Sequence, residues 1–270
     1  MSYIPEKLTR VTMRPGDYEG ADGLIYCGKC HTPRSTLLGE DCGELAGRLV
    51  PKMCRCEREA EAVEKEKGRV ERVERMRERC LPLDEMREAR FERADECKAI
   101  DVARRYVDKW EGVRAENIGL LLCGNTGSGK SYAALCVCNA LIDREIPARY
   151  VTFPEAVAAM REGGEARQTL EKCVKSSPLL VLDDFGAEGD SSYVQSLSCQ
   201  LVDMRARAGK PLIVTTNYPL AMFQGHADEL HARAADRIAG MCTPVSVTGE
   251  SRRQRRAEDK MQRAREILEL

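Results

Sequence analysis

One stretch, NIGLLLCGNTGSGKS at residues 117–131, limits the possible folds of this chain more than any other. An apolar run of strand length leads into the pattern G-x-x-x-x-G-K-S, and residues 132–142 continue as an apolar, helix-like segment. Glycines at positions 124, 127 and 129 tolerate backbone angles that turn successive N–H groups inward. This context predicts a phosphate-binding loop between a buried strand and a helix.

The side chains of this loop predict what it binds. We expect contacts to a bound nucleotide from Gly124, Asn125, Thr126, Gly127, Ser128, Gly129, Lys130 and Ser131. Lys130 supplies a positive charge for the β- and γ-phosphates, and the Ser131 hydroxyl is placed to ligate Mg²⁺. The positive end of the following helix also favours an anion. ATP and Mg²⁺ are therefore the expected cofactors.

Two later strands end in polar residues that suit the same chemistry. Residues 178–184 form an apolar run that ends in Asp183 and Asp184. In a phosphate-loop fold the first carboxylate would hold the water shell of Mg²⁺, and the second would orient the attacking water. Residues 211–217 form another apolar run, and its last residue, Asn217, is placed to touch the γ-phosphate or that water. The alternative for Asn217 is a turn former before Tyr218.

Residues 84–110 have the apolar spacing of an amphipathic helix. From residue 117 onward strand-like and helix-like segments alternate, and the helix-like pattern after Pro154 is interrupted near Gly163 and Gly164. This alternation predicts an α/β domain with a parallel sheet flanked by helices, and nucleotide bound at the carboxyl ends of its strands. A chain of 270 residues leaves room for one medium domain and a small accessory segment. We assign residues 81–270 to the ATPase domain.

The accessory segment is marked by cysteines. The chain has 13, an odd number, many of them in apparent core strands and helices, which favours a reducing compartment over a disulfide framework. Four of them, Cys27, Cys30, Cys54 and Cys56, form two close pairs on a loop-rich background, a pattern typical of a structural zinc site. Cys42 and His31 remain alternative ligands, and ordinary free cysteines remain the alternative to zinc. Residues 1–56 are thus predicted to be a zinc-binding module.

Residues 57–80 shift to Glu, Lys and Arg with a thin apolar set, which predicts a solvated helical linker, with a short coiled coil as the alternative. No apolar run approaches the roughly 20 residues that span a bilayer, and the amino terminus lacks a signal peptide's apolar segment. We therefore expect a cytoplasmic protein without membrane contact. The net charge of -1 requires any nucleic-acid surface to be local.

Together these motifs resemble a known family. The series GNTGSGKS, LVLDDFGAE, VTTN and DRI, with CTPV and GESRR near the end, resembles replicative helicase loaders of the DnaC and DnaI type within the AAA+ ATPases. The resemblance covers roughly residues 81–256. The cysteine segment before a charged linker is similar to the amino-terminal zinc-binding region of DnaI-like loaders. By resemblance, residues 1–56 would contact the helicase.

The resemblance implies roles for particular residues. Lys130 and Ser131 match Walker A, Asp183 and Asp184 match Walker B, and Asn217 matches sensor 1. Arg237 matches the arginine finger, which completes the catalytic site of a neighbouring subunit. Ser191 and Tyr193 fall where related loaders touch single-stranded DNA, and bases could stack on Tyr193. The alternative for Tyr193 is a helix residue packed on a neighbour.

This chain departs from the AAA+ pattern in two ways. The second Walker B acid is Asp184 where Glu is usual, and its shorter arm implies slow hydrolysis. Only about 20 residues follow Val247, so we expect a reduced or absent helical lid.

The function implied is ATP-dependent delivery of a DnaB-type replicative helicase onto single-stranded DNA, by a protein that assembles with copies of itself. Three alternatives remain. An IstB-type transposition helper shares nearly all of the ATPase motifs. A small-molecule kinase shares the phosphate loop but would need an acceptor site and a mobile lid. The zinc module could also bind nucleic acid by itself.

Overall fold

The computed structural model describes residues 11–187, 191–224, 232–249 and 251–268. The chain divides into two compact units, Met1–Arg72 and Val73–Leu270. Among the described residues, no helix is both long enough and apolar enough to cross a membrane.

The first unit contains two small antiparallel hairpins and the beginning of a long helix. Its elements are β1 (Tyr18–Glu19), β2 (Ile25–Tyr26), β3 (Ser35–Leu37), a 3-10 helix (Glu40–Leu45), β4 (Leu49–Pro51) and α1 (Arg55–Cys80). Ile25, Cys27, Ser35 and Cys54 are its buried residues within the described part. Such a short set gives this unit little apolar core.

Helix α1 corresponds to the charged segment predicted from the sequence. Val63 and Val70 are exposed, and ion pairs such as Lys65–Glu61, at 2.7 Å, lie along its surface. An exposed pair of this kind contributes only a few tenths of a kcal/mol. Up to Arg72 the helix is therefore stabilised mainly by the intrinsic preference of Glu, Lys and Arg, whereas Val73 and Cys80 near its end are buried in the core of the second unit.

The second unit is built on a five-stranded sheet in the order β6-β7-β8-β5-β9, and every pairing is parallel. The strands are β5 (Gly119–Cys123), β6 (Ala148–Thr152), β7 (Leu179–Phe185), β8 (Leu212–Thr216) and β9 (Cys242–Ser246). Strands β5 and β8 are buried at every residue, as expected for parallel strands covered on both faces. The predicted fold class, a parallel sheet flanked by helices, is confirmed.

The helices of this unit are α2 (Asp84–Arg87), α3 (Lys98–Asp108), α4 (Trp110–Ala115), α5 (Lys130–Asp143), α6 (Phe153–Glu162), α7 (Gly164–Ser176), α8 (Ser192–Ala208), α9 (Ala232–Met241) and α10 (Arg252–Leu268), with 3-10 helices at Phe91–Arg93 and Leu220–Gln224. The helical character predicted over residues 84–110 is more broken than expected, because Arg90, Ala94 and Cys97 are extended. The break predicted near Gly163 and Gly164 is present, and both have positive φ.

Alternation along the strands divides the core into two layers. Leu120, Leu122, Val181 and Ile213 pack in the layer that contains α3 and α5. Their strand neighbours, such as Leu121, Leu182 and Val214, pack in the layer that contains α6, α8 and α9. Asp183 follows Val181 by two residues, so it lies on the same sheet face as α5, the helix that begins at Lys130.

Candidate functional site

The phosphate loop has a backbone that only glycine accommodates at key positions. Gly124 has φ +150°, and a Cβ there would lie 1.9 Å from the carbonyl oxygen of Val247. Gly129 has φ +95° and immediately precedes α5. These angles belong to the region that L side chains rarely adopt. The loop therefore follows β5 and turns directly into the amino terminus of α5.

Lys130 connects this loop with the tip of β8. Its side chain is buried, and its Nζ donates to the carbonyl oxygens of Gly124 at 2.8 Å and Asn125 at 2.9 Å. It also lies 3.0 Å from Oδ1 of Asn217. Two predicted site residues that are 87 positions apart in sequence thus meet through a hydrogen bond.

A cavity of about 300 Å³ lies over the loop. Its described lining residues are Arg93, Asp95, Thr126, Gly127, Gly129, Lys130, Ser131, Tyr132, Asp184 and Asn217. The cavity combines cations, loop glycines, hydroxyls and two carboxylates, which are the groups that bind a phosphate chain with its metal. Ser131 and Asp184 supply oxygen donors of the kind Mg²⁺ takes.

Arg93 and Asp95 are cavity residues that sequence reasoning missed. Neither residue belongs to a motif. Both follow Arg90, where the backbone is extended, although the amphipathic pattern of the sequence predicts a helix that continues through this position. Helix α5 holds the preceding segment in place: Tyr132 Oη donates to the carbonyl oxygen of Arg90 at 3.2 Å, and Asn139 donates to that of Ala89 at 2.9 Å.

The two predicted Walker B acids, Asp183 and Asp184, have different environments. Asp183 is buried, and its carboxylate accepts hydrogen bonds from the hydroxyls of Tyr150 and Thr215, each at 2.5 Å. Asp184 lies on a bulge of β7, has φ +57°, and lines the cavity. Asp183 is not among the described residues that line it.

The four predicted cysteines of the first unit lie together. Their sulfur atoms are all within 4.8 Å of one another, with 3.3 Å between Cys54 and Cys56 and 3.7 Å between Cys27 and Cys56. Tetrahedral zinc with bonds of about 2.3 Å to sulfur has edges of about 3.8 Å, so this donor set fits the ion. Within the part of the chain that the structure describes, this is the one group of three or more Cys, His, Asp or Glu side chains close enough to share a metal ion.

Neighbouring groups favour the thiolate form of two of the four cysteines, Cys27 and Cys30. Backbone amides of Cys30 and Lys29 lower the pKa of the Cys27 thiol, and the Thr32 side chain, with further hydrogen bonds, lowers that of Cys30 to about 5. Burial instead raises the pKa of Cys54 to about 12. A metal ion would have to offset that effect, because only the thiolate is a ligand.

The other candidate ligands lie outside the cluster. Cys42 is exposed, and Nδ1 of His31 is 3.2 Å from the hydroxyl of Tyr18. Arg34 pairs with Asp17 at 2.6 Å and with Glu57 at 3.0 Å. Glu57 in turn accepts a hydrogen bond from the backbone amide of Cys54 at 3.2 Å, which connects this ion pair to the cluster.

The remaining predicted residues lie on α8 and α9. Arg237 is 60% exposed, and its Nε lies 3.1 Å from Oδ1 of Asp203. Arg237 is not among the described residues that line the cavity of its own chain. The Ser191 hydroxyl accepts a hydrogen bond from the amide of Val194 at 3.2 Å and so caps α8, while Tyr193 is exposed on the first turn.

Comparison with known proteins identifies the family. Residues 56–260 match the IstB-like ATP binding protein family. The chain belongs to this family.

Its relatives include the replicative helicase loader DnaC of Escherichia coli (strain K12), which is 29% identical over 132 residues, 47% of this chain and 53% of that protein. The replicative helicase loader DnaI of Bacillus subtilis (strain 168) is 30% identical over 148 residues, 50% of this chain and 47% of that protein. The chain thus spans about half the length of these curated relatives.

Solved structures agree on the fold. A crystal structure of DnaI aligns with a TM-score of 0.53 and 26% identity over 63% of this chain and 93% of that chain. The crystal structure of the DnaC helicase loader aligns with a TM-score of 0.52 and 22% identity over 62% of this chain and 100% of that chain, which shows the fold alone. The second unit is an AAA+ ATP-binding domain.

Proposed function

We propose that this protein is an ATP-dependent helicase loader that delivers a DnaB-type replicative helicase onto single-stranded DNA. The observation that carries the proposal is the likeness of its ATP-binding domain to two proteins, one from Escherichia coli and one from Bacillus subtilis, that are both named replicative helicase loader. The cysteine cluster supports the proposal, because it supplies a separate unit through which a partner could be held.

In this account ATP binds over the loop from Gly124 to Ser131. Lys130 neutralises charge on the β- and γ-phosphates, and Ser131 and Asp183 would hold Mg²⁺ with its water shell. Asp184 orients the attacking water, and Asn217 contacts the γ-phosphate or that water. Mg²⁺ bound there would neutralise charge that develops on the phosphates.

Hydrolysis is slow and depends on assembly in this account. Asp184 is one methylene shorter than the usual Glu, and Arg237 acts on the site of a neighbouring copy. The exposure of Arg237 supports that role. Its pairing with Asp203 uses Nε. The two terminal nitrogens of a guanidinium group can bind a phosphate in a bidentate manner.

Each of the three segments of the chain has its own role in this account. Residues 1–56 bind zinc and contact the helicase, residues 57–80 act as a charged linker, and residues 81–270 bind ATP, assemble and grip DNA. Tyr193, exposed on α8, stacks on bases. Ser191 contributes through its capping of α8, which fixes the helix end that carries Tyr193.

A loading assay tests the proposal. The full chain should place the host's DnaB-type helicase on circular single-stranded DNA in the presence of ATP and Mg²⁺, as measured by unwinding of an annealed strand. Lys130→Ala should abolish this loading. Loading that is unchanged in Lys130→Ala would remove ATP control from the account.

A second candidate is an IstB-like transposition helper. The matching family carries that description, and its match begins at residue 56, after three of the four clustered cysteines. Binding to a transposase in place of a helicase would favour it.

A further inference from the structure

Three polar side chains meet on the sheet face that α5 covers. Tyr150 of β6 pairs with Val181 of β7, and Asp183 lies two residues further along β7, on the same face. On the other side of β7, Leu182 pairs with Val214, which places Thr215 beside Asp183. Asp183 is therefore flanked by a hydroxyl from each neighbouring strand.

Both flanking hydroxyls bind the carboxylate. Tyr150 Oη donates to Oδ2 of Asp183 and Thr215 Oγ1 donates to Oδ1, both at 2.5 Å. Tyr150 is 7% exposed, Asp183 is 3% exposed and Thr215 is fully buried. Each carboxylate oxygen is thus fixed by one short hydrogen bond.

Thr215 also connects the two Walker B acids. Its hydroxyl accepts a hydrogen bond from the amide of Asp184 at 3.0 Å while it donates to Asp183. Asp184 lies on the bulge with φ +57°, a conformation that costs a non-glycine residue free energy and needs support from its surroundings. The same hydroxyl therefore orients one carboxylate and holds the backbone that presents the other to the cavity.

We infer that Tyr150 and Thr215 are positioning residues for Asp183. They fix this carboxylate on the sheet face of α5, directly before the cavity residue Asp184, so that it is oriented toward the water shell of Mg²⁺. The inference rests on the proposed ATPase function. A carboxylate oxygen has two lone pairs, so accepting one hydroxyl leaves the second available for a metal-bound water. Partners that orient a ligand in this way typically change metal affinity 10- to 100-fold when removed.

Tyr106 provides a matched control for a merely structural role. It is 5% exposed, lies in the same unit, and its hydroxyl donates to the carbonyl oxygen of Ile118 at 2.7 Å. Tyr106→Phe and Tyr150→Phe each remove one hydroxyl from a buried ring. Only Tyr150→Phe removes it from Asp183.

The experiment titrates Mg²⁺ into the full-length chain with a bound fluorescent adenine nucleotide, and records melting temperature in parallel. The Mg²⁺ concentration for half the fluorescence change should rise about tenfold in Tyr150→Phe and in Thr215→Val. It should remain at the wild-type value in Tyr106→Phe, and near it in Thr215→Ser, which keeps the hydroxyl. Nucleotide affinity in EDTA should be the same in all five proteins.

An unchanged Mg²⁺ midpoint in Tyr150→Phe, with a loss of melting temperature equal to that of Tyr106→Phe, would overturn the inference while leaving the ATPase proposal intact. Nucleotide binding that is insensitive to Mg²⁺ in the wild type would overturn both.

Discussion

The nucleotide site and the cysteine cluster are constructed in opposite ways. The nucleotide site draws side chains from β7, β8, the loop after β5 and the segment before α3, all held by a large buried sheet. The cysteine cluster takes its four thiols from residues 27–56, in a unit with few buried side chains. The first site therefore depends on the core of its unit, whereas the second would itself replace a core once a metal is bound.

The largest expected effect is the loss of the metal. Cys54→Ser should reduce bound zinc from about one ion per chain to almost none and unfold the first unit, because metal binding supplies its folding free energy. Elemental analysis and amide hydrogen exchange would measure both. Cys42→Ser, at an exposed cysteine of the same unit, should retain the metal.

Nucleotide binding should survive Cys54→Ser, because the nucleotide site depends on its own sheet. Simultaneous loss of zinc and of nucleotide affinity would break the contrast between the two regions.

The next largest effect, from a substitution of Lys130, should be confined to the nucleotide site. Lys130→Ala removes the ammonium group that lies among the loop carbonyls and Asn217. We expect the rate of ATP hydrolysis to fall by at least about 100-fold. An enzyme typically loses this much when one hydrogen-bond donor that stabilises the charge of the transition state is removed. Zinc content should not change, and a change in it would show that the two sites are linked.

Hydrolysis should also depend on a second copy. Arg237→Ala should lower hydrolysis by about 10³-fold, the lower end of the range for arginine fingers. A mixture of Arg237→Ala with Lys130→Ala should regain part of the activity, because one chain retains an intact loop and the other an intact Arg237. Steady-state hydrolysis at several mixing ratios measures this. Absence of recovery at every ratio would place Arg237 outside the neighbouring site.

The smallest effect concerns the loop backbone. Gly124→Ala should lower the free energy of unfolding by about 1–3 kcal/mol, since φ is +150° and the new Cβ meets Val247. Gly112→Ala, inside α4 with nothing within 4 Å of the new Cβ, should be neutral or stabilising by up to about 1 kcal/mol. Thermal denaturation of both variants compares them. Equal free energies of unfolding for the two variants would mean that the loop accommodates the new Cβ without strain.

The two regions also differ in what the sequence could predict. Strands β5, β7 and β8 were predictable because strands buried on both faces must be continuously apolar, and the glycines of the loop fix its turn. The cysteine cluster was predictable from spacing, since its four members form two pairs that are each close in sequence. Both predictions depend on local pattern.

What could not be predicted depends on register and strain. The contact of Tyr150 with Asp183 exists only because β6 and β7 pair in one register, and no local pattern carries that information. The different environments of Asp183 and Asp184 follow from a bulge with φ +57°. Arg93 and Asp95 were missed because a periodic pattern continued across the break at Arg90.

Co-purification with the DnaB-type helicase of its own host, in ATP and Mg²⁺, tests the central claim most directly. The account predicts that the full chain and Cys42→Ser retain the helicase and that Cys54→Ser does not. Failure of the zinc-loaded wild-type chain to bind the helicase, with retention of a transposase under the same conditions, would contradict it.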